Sequence, residues 1–192
     1  MYMKTIAIIP ALNEEKRITK VIRDTKRFVD EVIVVDDGST DNTAKVSKKA
    51  GAKVIRYEKN RGVGYATKIG LKEAIKTKSD IIVLIDGDGQ HDPKYIPLLI
   101  KAVKNGADYV YGLRNLSNYP LDRKIGNWGL KTLTNLFCPT GIQYTEGGYR
   151  ALSINAARRL DLRADRYERE MDFAYNVWKN KFKVDYVKME VS

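Results

Sequence analysis

Residues 81–92 read IIVLIDGDGQHD. Five apolar residues run without a polar break, and then three Asp and one His crowd into seven positions. A short apolar run bounded by turn formers is the pattern of a strand buried on both faces, as in a parallel sheet. Carboxylates packed at the tip of such a strand repel one another and need a stabilising partner. In Asp86-Gly87-Asp88 the two carboxylates are two residues apart. They converge on one cation if the backbone turns, which Gly87 and Gly89 permit. Hard oxygen ligands suit Mg²⁺ or Mn²⁺, and Mg²⁺ usually shares its coordination with substrate phosphates. Gln90 adds an amide oxygen, and His91 is a poorer ligand for such an ion. Asp92, directly before Pro93, is expected to cap a helix instead.

The chain on either side alternates in the same way. TIAII (5–9), VIVV (32–35), KVIRY (53–57) and YVY (109–111) read as further strands. Between them, apolar residues recur at helical spacing: Ile18, Val21, Ile22, Phe28 and Val29, then 44–50, then 65–76, then Ile96, Leu99, Ile100 and Val103. Strand–helix alternation with continuous apolar strands predicts an α/β fold, a mostly parallel sheet sandwiched by helices. Ligands in such sheets bind beyond the carboxyl ends of the strands. The polar clusters PALNEE, DDGSTD, NRGVG and DGDGQHD fall at those ends, so one rim defines one site. At the tip of strand two, Asp36 or Asp37 is placed to accept hydrogen bonds from a nucleoside, while Asp41 caps the next helix. No GxGxxG follows strand one and no GxxxxGK[ST] is present, which disfavours a dinucleotide dehydrogenase and a P-loop nucleotidase.

After Leu113 the pattern changes. Residues 112–166 hold nine Lys and Arg against four Asp and Glu. Ile125, Trp128, Leu133, Leu136 and Phe137 suggest an amphipathic helix. GGYRALS (147–153) reads as a turn into a strand or helix. Met171, Ala174, Tyr175 and Trp178 form another helical stripe, and Val187, Met189 and Val191 alternate as a closing strand. The expected organisation is one domain over residues 1–192: a ligand-binding half that carries the rim site (1–112) and an appended acceptor-side layer (113–192). A formal net charge of +11 invites anionic partners. No recognisable motif interleaves basic and aromatic residues, so nucleic acid is not expected. The single Cys138, the absence of an apolar run near 18 residues and the lack of a leader at the start predict a cytoplasmic protein, peripheral to a membrane at most. The sequence leaves the oligomeric state open.

Taken in order, PALNE (10–14), VVDDGSTD (34–41), NRGVGYA (60–66), DGDGQH (86–91), YGLR (111–114) and GGYRALS (147–153) resemble the family 2 glycosyltransferases of GT-A fold. Within that family they resemble the dolichyl-phosphate mannose synthase-like branch, which moves sugars onto polyprenyl phosphates. The resemblance implies that Pro10, Ala11, Asn13 and Glu14 bind the nucleoside, with Glu14 on the ribose, and that Asp37 accepts a base N–H. It implies that Asn60, Gly62 and Gly64 form a loop beside base and sugar. Asp86, Gly87 and Asp88 become the family's DxD motif, with Gln90 completing the metal site. Arg114 and Arg123 meet phosphate on the acceptor side, and Gly148, Tyr149 and Arg150 match a motif near the acceptor. Tyr144 stands where the family often has an acid.

The implied reaction is an inverting displacement at a sugar's anomeric carbon, with a GDP or UDP leaving group stabilised by the metal on Asp86 and Asp88. A hydroxyl acceptor on a glycan would need a base, for which Glu170 or Asp172 in YEREMDF is the candidate. A lipid phosphate needs none, because its second pKa of about 6 leaves it mostly dianionic. It needs cations instead, and Arg114, Arg123, Lys124, Lys131 and Arg150 are the expected set. Asp88, Arg114 and Glu170 are thus the expected catalytic residues. A peripheral membrane contact or a membrane partner protein is among the expected partners, and a sugar-phosphate nucleotidyltransferase activity and a non-enzymatic nucleotide-sugar-binding module are the remaining alternative functions. The nucleotidyltransferase would usually carry a Gly-rich basic loop where PALNEEKR stands.

Overall fold

The structure is a computed structural model that describes residues 2–114, 148–166 and 168–189, without the side chain of residue 114. Seven strands form one sheet: β1 (Thr5–Ala11), β2 (Glu31–Asp36), β3 (Lys53–Arg56), β4 (Ile81–Leu84), β5 (Tyr109–Arg114), β6 (Arg150–Ser153) and β7 (Val184–Met189). Their order is β3-β2-β1-β4-β6-β5-β7. The helices are α1 (Ile18–Thr25), α2 (Thr43–Lys49), α3 (Val63–Lys76), α4 (Ile96–Lys104), α5 (Ile154–Arg159) and α6 (Arg169–Lys179). A 3₁₀ turn, Pro93–Tyr95, precedes α4, and its N-cap is Asp92, whose carboxylate accepts from the Lys94 N–H.

Every residue of β1 and β4 is buried, because helices cover both faces of the sheet. Alternate residues divide between two cores. Ile6, Ile8, Ile33, Val35, Ile82 and Leu84 face Leu71, Ala74, Phe173 and Val177 of α3 and α6. Ala7, Ile9, Val32, Val34, Ile81 and Val83 face Ile18, Val21, Ile22, Leu99 and Val103 of α1 and α4. A one-residue slip of β1 against β2 or β4 would exchange these sets, so the register Ile8↔Ile33 and Ile8↔Leu84 is strongly specified.

The expected parallel sheet is present over β1–β4. One strand departs from it: β6 runs antiparallel between β4 and β5. That reversal sets Arg150, the first residue of β6, opposite Leu84, the last of β4. The GGYRALS stretch therefore enters the sheet at the rim where DGDGQHD leaves it. The chain reverses direction in space beside β1, after β2 and β3 have been laid on one side and before β4 is laid on the other. Such a switch point opens a crevice at the carboxyl ends of the strands.

α6 forms where helical spacing predicted it, but the buried face differs from the expected stripe. Phe173, Ala174, Asn176 and Val177 are buried, whereas Met171, Tyr175 and Trp178 are exposed. Phe173 wins the inward position because its ring packs edge-on against Tyr109 and beneath the Arg150 guanidinium. Among the described residues no helix is long and apolar enough to cross a membrane. The expected amphipathic helix around Trp128 and the positions Arg123, Lys124, Lys131, Cys138 and Tyr144 lie outside the described residues, as does Val191.

Candidate active site

The crevice at the switch point holds a cavity of ≈ 440 Å³. Pro10 and Ala11 come to it from β1, Glu14 from the turn beyond, Asp37 from the end of β2, Asn60 and Gly62 from the loop before α3, and Asp86, Gly87 and Asp88 from the end of β4. Those nine residues are among the donor-binding positions expected from sequence. Asn13 and Gly64 are not on its wall, and Leu12, Val63, Ala66, Arg166 and Arg169 are.

The three carboxylates of DGDGQHD are separated by the fold. Asp92 turns away to cap the 3₁₀ helix. Asp86 is enclosed by donors: Oδ1 accepts from Arg169 Nη2 at 3.3 Å, Oδ2 accepts from the Gly148 N–H at 3.1 Å, and His91 Nε2 is 3.6 Å from Oδ2. Burial alone would raise its pKa, but His91 and the Arg169 guanidinium outweigh it and hold the carboxyl well below the usual range. Asp88 lines the cavity, and among the described residues its Oδ1 accepts only the Gln90 N–H, at 2.9 Å. Gln90, the expected third ligand, is exposed and is not among the residues that line the cavity.

Among the described residues no group of three or more His, Cys, Asp and Glu is arranged to hold a metal ion. Two carboxylates on the wall of this cavity still fit Mg²⁺ or Mn²⁺, which keep positions for water and substrate phosphate. Asp88 is the stronger donor of the pair, because Asp86 is already neutralised by Arg169.

Asp37 folds the loop that it borders. Its Oδ1 accepts from the Arg61 N–H at 2.9 Å and its Oδ2 from the Gly62 N–H at 2.7 Å. A carboxylate has about four acceptor sites, so two remain for a ligand. Asp36, the other candidate, is fully buried, accepts from the Ser39 N–H and faces Arg56, away from the cavity. Asn13 is a brace: its Oδ1 accepts from the Thr40 N–H while its own N–H donates to Ser39 Oγ, tying the loop after β1 to the loop after β2.

Gly62 and Gly64 make room for the segment 163–166. A Cβ on Gly62, at φ +101°, would stand 2.4 Å from the Asp165 carbonyl oxygen, and one on Gly64 would stand 2.5 Å from that of Ala164. The segment is held by the Tyr65 N–H on the Asp165 carbonyl, by the Lys68–Asp165 ion pair, and by Asp172 Oδ2, which accepts from the Arg163 and Ala164 N–H groups. It delivers Arg166 to the cavity wall. Asp172, a candidate base, is therefore a loop anchor.

Glu170 likewise has its oxygens engaged. Oε2 accepts from Arg150 Nη2 at 2.6 Å and Oε1 from Arg169 Nε at 3.1 Å, and Glu170 is not on the cavity wall. Arg150, expected at acceptor phosphate, is 1% exposed. It donates to Glu170 and to the Tyr109 hydroxyl, and its guanidinium lies 4.4 Å from the centre of the Phe173 ring. Burial disfavours its charge, but Glu170 keeps it firmly protonated. The result is a buried series, Tyr109–Arg150–Glu170–Arg169–Asp86, running from the sheet to the cavity. Arg114 ends β5 opposite Met189, and its side chain lies outside the described residues.

Arg169 and Arg166 are the functional candidates that sequence reading missed. Both sit in a charged stretch, RADRYERE, that looks like a solvated helix start. No local signal marks a contact with Asp86, 83 residues away.

Gly148 explains why GGYRALS must have Gly there. A Cβ would fall 2.3 Å from Asp86 Oδ1 and 2.5 Å from Oδ2. Gly148→Ala is expected to displace the Asp86 carboxylate, costing about 1–3 kcal/mol of stability by overpacking. Urea unfolding checks this, and a variant as stable as the parent would show that the site yields freely.

Comparison with known proteins agrees with this geometry. Glycosyl transferase family 2 matches residues 6–160. An uncharacterized protein of Methanocaldococcus jannaschii is 39% identical over 175 residues, 86% of this chain and 72% of that protein. The UDP-N-acetylglucosamine–dolichyl-phosphate N-acetylglucosaminyltransferase of Methanococcus voltae is 38% identical over 203 residues, 92% of this chain and 81% of that protein. Among solved structures, glucosyl-3-phosphoglycerate synthase of Mycobacterium tuberculosis, in complex with Mn²⁺, uridine diphosphate and glucosyl-3-phosphoglycerate, superposes with a TM-score of 0.81. At 24% identity, over 98% of this chain and 71% of that one, the likeness is of fold, and the fold is GT-A. A sheet reversed beside β4, a cavity at its switch point and a sequence match over most of the length agree: the chain belongs to glycosyl transferase family 2 and is a glycosyltransferase.

Proposed function

We propose that this glycosyltransferase moves a sugar from a GDP- or UDP-linked donor onto a polyprenyl phosphate, with inversion at the anomeric carbon. One observation carries the reading: a single cavity at the strand tips is lined by Asp86 and Asp88 together with Arg166 and Arg169. A divalent cation held by Asp88 and Asp86 would neutralise the charge that builds on the departing diphosphate. Arg166, exposed on the cavity wall, would supply N–H donors to the same phosphate oxygens, and Arg169, held by Glu170, Thr67 and Asp86, adds a fixed positive charge beside them. Asp37 retains acceptor capacity for a base N–H, and Glu14 borders the cavity beside it. No expected carboxylate base is free, since Glu170 and Asp172 are both engaged by donors. An acceptor that is already anionic requires none, which favours phosphate over a glycan hydroxyl. Arg114, Arg123, Lys124 and Lys131 remain the proposed cations for that phosphate; buried Arg150 leaves the set. The name of the Methanococcus voltae relative supports a dolichyl-type acceptor, and the ligands of the mycobacterial structure support Mn²⁺ with a uridine nucleotide.

A melting-temperature screen of GDP- and UDP-sugars with Mn²⁺ tests the donor half. A donor at a hundred times its Kd stabilises by about 2.7 kcal/mol, which for a chain of this size raises Tm by roughly 5–10 °C. EDTA is expected to remove most of that rise. Radiolabelled donor offered with short polyprenyl phosphates and with the matching alcohols tests the acceptor half. Transfer to alcohols alone would sink it.

A further inference from the structure

Among the described residues, nothing covers one face of α6. Phe173, Ala174, Asn176 and Val177 turn into the core, and Met171, Tyr175 and Trp178, at i, i+4 and i+7, share the outer face. They are 46%, 43% and 43% exposed, and the Tyr175 and Trp178 rings touch with centroids 5.9 Å apart. Three of the six large exposed hydrophobics among the described residues lie in this one helix. Single exposed apolar residues need no explanation, but a cluster marks a surface that meets something.

The chemistry of the patch narrows what it meets. Tyr and Trp carry an apolar body and a polar edge, and they concentrate where hydrocarbon meets water. Cations frame the carboxyl end of the helix. Lys179 Nζ is 5.8 Å from the centre of the Tyr175 ring. Arg159 donates to the Asn180 carbonyl, and Lys181 and Lys183 follow, all exposed. Of the acids flanking this face, Asp172 holds the 163–164 backbone and Asp161 pairs with Arg163, while Glu168 and Asp185 are exposed, fewer than the cations. An aromatic stripe with lysines at its edge complements an anionic bilayer surface. A second copy packed face to face would bring like charges together instead.

We propose that the Met171–Tyr175–Trp178 face of α6 is the surface by which the chain rests on an anionic lipid bilayer, its rings at headgroup depth. Its purpose rests on the polyprenyl-phosphate reading, because that acceptor stays in the membrane. α6 begins at Arg169 on the cavity wall, and Trp178 lies nine residues on, about 13 Å along the axis. A bilayer held there keeps an acceptor headgroup within reach of the cavity.

Co-sedimentation with vesicles of phosphatidylglycerol and phosphatidylcholine, against phosphatidylcholine alone, tests the surface. The wild-type chain is expected to partition onto the anionic vesicles. Tyr175→Ser with Trp178→Ser is expected to weaken that binding at least tenfold, with transfer to a short, water-soluble polyprenyl phosphate unchanged. Lys179→Glu with Lys181→Glu, which leaves the aromatic face intact, is expected to weaken it at low salt. Loss of vesicle binding in both variants supports the surface whether or not any polyprenyl phosphate accepts sugar, so the acceptor reading fails separately. Three results would overturn it: no binding of the wild-type chain to anionic vesicles, undiminished binding by the Tyr175/Trp178 variant, or a self-association equilibrium that the same two changes abolish.

Discussion

Asp88→Asn is expected to reduce sugar transfer by roughly 10³-fold or more in kcat/KM, a loss of about 4 kcal/mol of transition-state stabilisation. The two Asp of the DxD stretch carry their charge differently. Asp86 has Arg169, His91 and the Gly148 N–H around it and would remain a satisfied carboxylate in an empty cavity. Asp88 has one hydrogen bond, from the Gln90 N–H, and no ion pair among the described residues. Its negative charge contributes nothing visible to the fold, and it faces the cavity where a diphosphate and its cation would bind. Asn preserves the oxygen that accepts from Gln90, so stability should move by no more than about 0.5 kcal/mol. The thermal shift given by donor with Mn²⁺ should collapse in the variant while its unliganded Tm stays in place. A variant that transfers sugar at the parental rate would remove the metal from the reading. Asp86→Asn is the contrasting case: it removes the carboxylate charge on Arg169 Nη2 and leaves that guanidinium to Glu170 and Thr67, so stability and activity should fall together.

The difference between these carboxylates was not legible in the sequence, although the site was. IIVLI and its sister runs announce buried parallel strands because two-sided burial leaves no polar alternation, and parallel sheets place their sites at the carboxyl tips. From that follow the rim and most of the cavity wall. Three features required the fold. β6 is four residues long, RALS, too short to show its direction. α6 offers two apolar stripes, Phe173–Ala174–Val177 and Met171–Tyr175–Trp178, and periodicity cannot say which of them meets Tyr109. Arg150, Arg169 and Glu170 read as solvated or ligand-binding charges, because charged side chains are rarely buried unless paired, and their partners are 20, 41 and 83 residues distant.

Arg150 gives the sharpest test of that last point. If its guanidinium held acceptor phosphate, Arg150→Met would fold normally and raise only the KM for acceptor. The geometry demands another outcome. Arg150 is 1% exposed, and its removal leaves the Tyr109 hydroxyl and one Glu170 oxygen facing an apolar side chain beside Phe173. Breaking a buried ion pair from one side costs about 3–5 kcal/mol, since the remaining charge loses its nearer partner and keeps only Arg169. For a chain of this length that is a fall in Tm of roughly 6–20 °C. Arg150→Lys should recover only part of it, because an ammonium cannot bridge Glu170 and Tyr109 as a planar fork does. Glu170→Gln added to Arg150→Met should cost less than the sum of the two single changes, since the residues share one interaction. The same coupling reaches the cavity: Glu170 orients Arg169, and Arg169 holds Asp86. Arg150→Met, assayed at a temperature where it is still folded, should therefore lose affinity for donor with Mn²⁺. A variant with parental stability and donor affinity but impaired acceptor KM would restore Arg150 to the acceptor side.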